Sequence, residues 1–365
     1  MNFKKRIGGV LVSAGTTLAM VIGLGVGVAH ADPVPATPER PIAMMGSDTT
    51  TPVMNALAND AAALAISTVR KVASFNATGS ATVNTHASLP ACSAVPRADG
   101  SGAGKTALIN SYNAADGCLQ GSRSSSGASG TSTPHLVYIP FAREAISFAV
   151  TATSNFPKNI SLVDLRTFYD CSHANLAVGT IYSAPNYRVM LPQAGSGTRS
   201  FWITQMAYSV TIPDTGAVPG MGCIQNGADE NGTAIQEHNG TLVNNSEIVP
   251  FSIAQWASQA AGVISPAVLG NVRPGQIDSK NPFASDFGLQ RNLFNVFPDD
   301  YIDGTAVNGG TALEQLRFDI QTLFKGAGSQ MCTGTAAQGV ILRFGFRSPL
   351  SSGGAVNCGD TTSRT

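Results

Sequence analysis

Apolar, strand-like runs in this chain give way, again and again, to a short turn of glycine and hydroxyl residues and then to a helical period. Ile42-Ala43-Met44-Met45 reads as a buried strand. It ends in Gly46-Ser47-Asp48-Thr49-Thr50, and behind Thr51-Pro52 the residues Val53, Leu57, Ala61 and Leu64 recur at helical spacing. Arg97 to Gly104 is followed by an apolar-periodic stretch from Ala107, and the strand-like Tyr187 to Pro192 by Gly195-Ser196-Gly197-Thr198-Arg199 and a helix-like run from Ser200. His135 to Phe141 and Ala145 to Val150 read as two further strands. Ser161 to Phe168, Ile253 to Ala261 and Ala312 to Lys325 read as helices. Strands alternating with helices need crossover connections, which predicts an α/β architecture with a mainly parallel sheet. The Ser/Gly stretch Gly121 to Pro134 and the Gly/Asn/Asp/Thr-rich stretch Thr211 to Ser246 read as loops, and no repeat of solenoid length is seen.

The three turns Gly46–Thr50, Gly100–Gly104 and Gly195–Thr198 have a shared chemical use. The first amides of a helix lack intrahelical acceptors, and the helix dipole places partial positive charge there. Glycine lets a ligand approach the backbone, and Ser or Thr adds hydroxyl donors, so such turns can hold an anion. Gly104-Lys105-Thr106 matches the end of a P-loop, but Asp99 stands where its first glycine belongs, so a nucleotide is not expected. There is no G-x-S-x-G elbow and no H-E-x-x-H, and His86, His135, His173 and His238 are scattered, so no catalytic residue is assigned. No C-x-x-C pair and no ligand-spaced histidine indicates a metal.

Charged residues make up 12% of the 365 positions and the formal net charge is zero, which gives no nucleic-acid footprint. Lys4, Lys5 and Arg6, an apolar run to Val28 and Ala29-His30-Ala31 form a secretory leader with cleavage expected after Ala31 and no lipidated cysteine, so the mature chain is expected outside the cytoplasm. A proline-rich arm, Pro33 to Pro41, follows. Six cysteines remain, Cys92, Cys118, Cys171, Cys223, Cys332 and Cys358. An even number in an exported chain indicates disulfides, although about 15 pairings are open to six cysteines.

Together the motifs resemble the phosphate-binding proteins of ABC transporters, in an actinobacterial secreted branch. Gly195-Ser196-Gly197-Thr198-Arg199, Gly46-Ser47-Asp48-Thr49-Thr50 and Gly100-Ser101 look like the family's ligand turns. Tyr138 to Ala145 and Ile248 to Trp256 also carry the likeness, which runs from Ile42 to Phe346. The resemblance implies a two-lobed type II periplasmic-binding fold with a mixed sheet in each lobe and hinge crossovers. Lobe one would be 32–148 plus 294–365 and lobe two 149–293, after a signal peptide at 1–31. That division keeps Cys92–Cys118, Cys171–Cys223 and Cys332–Cys358 each within one lobe. It implies ligand contacts from Asp48, Thr49, Thr50, Ser101, Gly195, Ser196, Gly197 and Thr198. The family's arginine before the GSGT turn is replaced here by Pro192, leaving Arg199, Arg143 or Arg123 to supply charge. Its proton-accepting carboxylate is missing from Cys118 to Ser124, leaving Asp48. The implied partners are phosphate or a related oxyanion and an ABC permease, with no cofactor, no enzymatic activity and a monomeric state. The alternative is a secreted interaction protein that kept the fold and lost or changed its ligand.

Overall fold

A computed structural model describes residues 32–33, 39–172, 187–349 and 357–365. The leader, its cleavage site and His173 lie outside the described residues. In the first strand, β1 (Ile42–Gly46), every residue is buried. Ile42 and Met44 face one apolar cluster and Ala43 and Met45 another, as two-residue alternation demands of a strand covered on both sides. Eight more strands join the same sheet: β2 (Val72–Ser74), β3 (Gly121–Ser124), β4 (Leu136–Thr151), β5 (Arg188–Leu191), β6 (Ile224–Asn226), β7 (Glu247–Ser252), β8 (Val272–Pro274) and β9 (Gln290–Pro298). The order is β6-β5-β7-β4-β9-β3-β1-β2, with β8 on β4. The outer strands are parallel within each half, β1 to β2 and β3, and β5 to β6 and β7, while β4 and β9 run antiparallel to their neighbours. The chain is thus an α/β protein with a mixed sheet.

Helices cover both faces. They are α1 (Thr51–Asn59), α2 (Ser101–Ala114), α3 (Leu162–Tyr169), α4 (Gly197–Met206), α5 (Ile253–Ala260), α6 (Asp299–Asp303), α7 (Ala312–Phe324), α8 (Gln330–Thr333) and α9 (Thr335–Arg343). Around β1, the core holds Leu57, Phe141, Phe297, Phe324 and Ile341 on one side and Leu108, Tyr138 and Val296 on the other. Around β5, Phe148, Phe168, Trp202 and Ile248 pack on one side and Met190, Phe251 and Val272 on the other. The 16-residue β4 links the two. It pairs with β9 as far as Ala145 and with β7 from Ile146 onward.

Arg143-Glu144 reads as a polar break between two strands, yet both residues remain within β4, because Arg291 of β9 neutralises Glu144 at 2.6 Å. Gly100–Gly104 is likewise the first turn of α2 rather than a separate loop, with Gly100 as its cap. Disulfides join Cys92 to Cys118, Cys171 to Cys223 and Cys332 to Cys358. Among the described residues, no helix is long and apolar enough to cross a membrane.

Candidate functional site

Three helices begin at the carboxyl ends of strands or bridges, and although four strands lie between β1 and β5 in the sheet, the helix starts meet. Gly46 closes β1 at φ +125°, a conformation that favours glycine, and a Cβ there would meet the Arg123 carbonyl at 2.5 Å. Thr50 takes the cap position of α1, but its hydroxyl donates to the Ser47 carbonyl (3.2 Å) instead of accepting from the helix. Ser196 caps α4 in the expected way, accepting from the Thr198 and Arg199 amides at 3.1 and 3.2 Å.

The α2 and α4 starts touch. The Gly102 amide donates to the Gly195 carbonyl at 3.1 Å. A Cβ on Gly100 would stand 2.6 Å from that carbonyl, and one on Gly197 would stand 2.3 Å from Ser125 Oγ and 2.7 Å from Ser101 Oγ. Only glycine permits this approach. Ser101 Oγ in turn accepts from the Ser125 amide at 2.9 Å. The α1 start joins through Thr49, whose hydroxyl lies 3.5 Å from that of Thr198. Gln255 of α5 donates to the Thr49 carbonyl at 2.7 Å, tying the turn to the opposite half of the sheet.

Arg291 completes the cluster. Its Nη2 donates to Thr198 Oγ1 and to Glu144 Oε1, both at 2.6 Å, and lies 3.4 Å from Thr49 Oγ1, while its Nε donates to the same carboxylate at 3.0 Å. Ser252 donates to the other oxygen of Glu144. Glu237 enters from the stretch read as irregular loop. It accepts from the hydroxyls of Thr49 and, at 3.2 Å, Ser196. Burial opposes ionisation of Glu237, but His238, the Thr49 hydroxyl and Arg291 together outweigh it and hold its carboxyl below the usual value. One hydrogen-bonded chain therefore runs from Glu144 through Arg291, Thr198 and Thr49 to Glu237 and Ser196, every member buried.

Asp48 and Asp99 flank the chain. Asp48 Oδ2 lies 3.1 Å from His238 Nδ1, an ion-pair distance at angles that make no hydrogen bond. Burial raises the Asp48 carboxyl, with Glu237 adding to the effect and His238 opposing it. Asp99, held among the described residues by Gln193 alone at 3.4 Å, is pushed up to about 7 by burial, then by the charges of Asp48 and Glu237. A raised folded-state value means that Asp99 keeps its proton while the unfolded chain, near 3.8, loses it. The contribution of Asp99 to stability then falls as pH rises from about 4 through 7. The melting temperature of Asp99→Asn, relative to wild type, is expected to climb with pH across that window and level off above it. A difference that stays flat from pH 4.5 to 8 would remove Asp99 from the account.

The structure does not bring every expected residue to this cluster. Arg199 is buried, but its guanidinium is held by the carbonyls of Pro192 (2.9 Å) and Pro213 (2.7 Å). Arg123 lies beneath the α1 turn, donating to the Met44 carbonyl, Ser74 and Thr51 at 2.9–3.1 Å, and burial brings its value down to about 10. Arg143 makes no contact with the cluster's hydroxyls and lines a surface cavity that Glu144 also borders. Asp48, Thr49, Ser101, Gly195, Ser196, Gly197 and Thr198 do converge, with Thr50 one residue behind Thr49. Arg291, Glu237 and Glu144 were not anticipated from the sequence.

No family model and no curated protein matches the chain by sequence. Solved structures do resemble it. One, assigned as a phosphate ABC transporter substrate-binding protein from Clostridium perfringens with bound phosphate, is 14% identical with a TM-score of 0.50, covering 84% of this chain and 98% of that one. An ABC-type phosphate transport receptor from Vibrio cholerae is 16% identical with a TM-score of 0.47, covering 84% and 100%. A human phosphate-binding apolipoprotein is 14% identical with a TM-score of 0.48, covering 88% and 98%. At these identities the likeness to the Clostridium protein establishes a shared fold.

Proposed function

We propose that this protein is an extracytoplasmic solute-binding protein that captures a small oxyanion bearing a proton, hydrogen phosphate first among them, and performs no covalent chemistry. The observation that carries the reading is the meeting of the Thr49 and Thr198 hydroxyls, from two helix starts, at the guanidinium of Arg291, with Ser196 tied to Thr49 through Glu237. Arginine and hydroxyl donors in a water-poor cleft suit a multi-oxygen anion. The ionised Glu237 would accept the ligand's proton, and the same carboxylate would repel a fully ionised anion. The resemblance in the ligand turns and the fold shared with a phosphate-binding protein support the same class. In this reading the lobes are 32–148 with 294–365, and 149–293, hinged on β4 and β9. Delivery to an ABC permease is the corresponding transport role, with the chain acting as a monomer.

Calorimetric titration of the mature protein tests this. Phosphate is expected to bind reversibly and sulfate at least 100-fold more weakly. Flat titrations with phosphate, sulfate and molybdate alike would discard the proposal.

One observation favours a second reading. Glu237 already accepts from two of the hydroxyls that an anion would use. If it stays there, the protein plugs its own cleft and serves as a secreted interaction protein with a permanently closed shape.

A further inference from the structure

Arg143 and Glu144 are consecutive in β4, so they point to opposite faces of the strand. Glu144 enters the cleft cluster. Arg143 lines a surface cavity of about 40 Å³ together with Arg347, Ile253, Phe283 and Gln290, and Glu144, its carboxylate paired with Arg291, borders the same cavity. Such a volume is several times what one water requires, and it suits an ion of about five heavy atoms.

Arg143 and Arg347 exchange both backbone hydrogen bonds, at 2.8 and 2.9 Å. They are therefore directly opposite residues of an antiparallel bridge, with their side chains on one face. Like charges at such positions repel. Five other arginines, Arg97, Arg188, Arg291, Arg317 and Arg364, have a carboxylate within ion-pair distance. Among the described residues neither Arg143 nor Arg347 has one. The Arg143 Nε is buried without a hydrogen-bond partner. Arg347 spends one Nη2 contact on the Phe283 carbonyl. Burial first, and the Arg347 charge second, make protonation of Arg143 harder than usual, as two uncompensated cations would.

We propose that this cavity is a second anion site, adjoining the cleft cluster at Glu144 but formed by a different pair of arginines. It would take one small oxyanion, a carboxylate or a tetrahedral inorganic ion, in the fork between the guanidiniums of Arg143 and Arg347. Planar guanidiniums offer paired donors to either kind of oxygen set. Ile253 and Phe283 supply apolar walls beside the two arginines.

The mature Thr198→Val protein serves as the test background, because its cleft is impaired while the arginine pair is intact. Its thermal midpoint is expected to rise saturably with sulfate or acetate at constant ionic strength. The ion saturating at the lower concentration identifies an inorganic or a carboxylate ligand. Adding Arg143→Gln and Arg347→Gln should move half-saturation at least tenfold. No saturable response to either ion, or an unchanged response after both substitutions, would overturn the site. If the triple variant does not fold, the Arg143 Nε–H resonance of Thr198→Val supplies the reading. It should shift on addition of the same ions, and an unmoved resonance refutes the site. A cleft that binds no phosphate leaves this outcome untouched, because neither readout depends on it.

Discussion

Arg291→Gln is expected to abolish oxyanion binding and to lower stability substantially at the same time. Arg291 is the only guanidinium among the described residues that touches both Thr49 and Thr198. Each charge-assisted hydrogen bond contributes about 1.5–3 kcal/mol, so losing this donor set should weaken binding by at least about 100-fold. The stability loss has a different origin. Glu144 is fully buried as a side chain and relies on Arg291, and deleting one member of a buried pair typically costs about 3–5 kcal/mol. The two effects separate in a double variant. Glu144→Gln with Arg291→Met removes both charges and should regain most of the stability while binding stays lost. If the double variant binds phosphate as tightly as wild type, Arg291 is a structural residue and the cleft reading fails. Calorimetry and thermal unfolding on the same samples give both answers.

The uneven legibility of this site has physical causes. The three helix starts could be found because they obey local rules: glycine where a Cβ would collide, and serine or threonine where an amide needs a partner. Gly100, Gly195, Ser196 and Gly197 are visible for that reason. Arg291 obeys no local rule. It sits in a strand whose alternation makes a charged residue look like a solvent-facing position, and only the pairing of β9 with β4 turns it inward beside Glu144. Arg143 and Glu144 show the same limit at closer range. Adjacent strand residues face opposite sides, so choosing the cleft residue of the two needs the register, which the sequence leaves open. Glu237 belongs to a Gly/Asn/Asp-rich stretch with little periodicity, where tertiary contacts alone decide which residue is buried. The broad α/β class was legible because alternating strands and helices constrain topology over the whole chain. The joining of two expected strands into β4 was not, because the neutralising partner of Glu144 lies 147 residues away.

Glu237→Gln should change selectivity more than affinity for phosphate. Its carboxylate is the group on which the Thr49 and Ser196 hydroxyls converge, and His238 and Arg291 help to keep it ionised. Against that charge, hydrogen phosphate can turn its own proton toward Glu237, whereas sulfate has none to offer and leaves two acceptors face to face. Glutamine has nearly the same shape, no charge and an NH2 donor. Sulfate should then be accepted, so the phosphate preference of at least about 100-fold expected of wild type should narrow to roughly tenfold or less, a change of order 1.4 kcal/mol or more in discrimination. The same variant separates the two functional readings. If Glu237 permanently plugs the cleft, wild type binds neither ion and Glu237→Gln, still holding Thr49 and Ser196 through its side-chain oxygen, binds neither as well. If Glu237 is the proton acceptor, wild type binds phosphate and the variant binds both. A variant that keeps the full wild-type preference would show that selectivity arises elsewhere, with Asp48 and Asp99 the next carboxylates to neutralise.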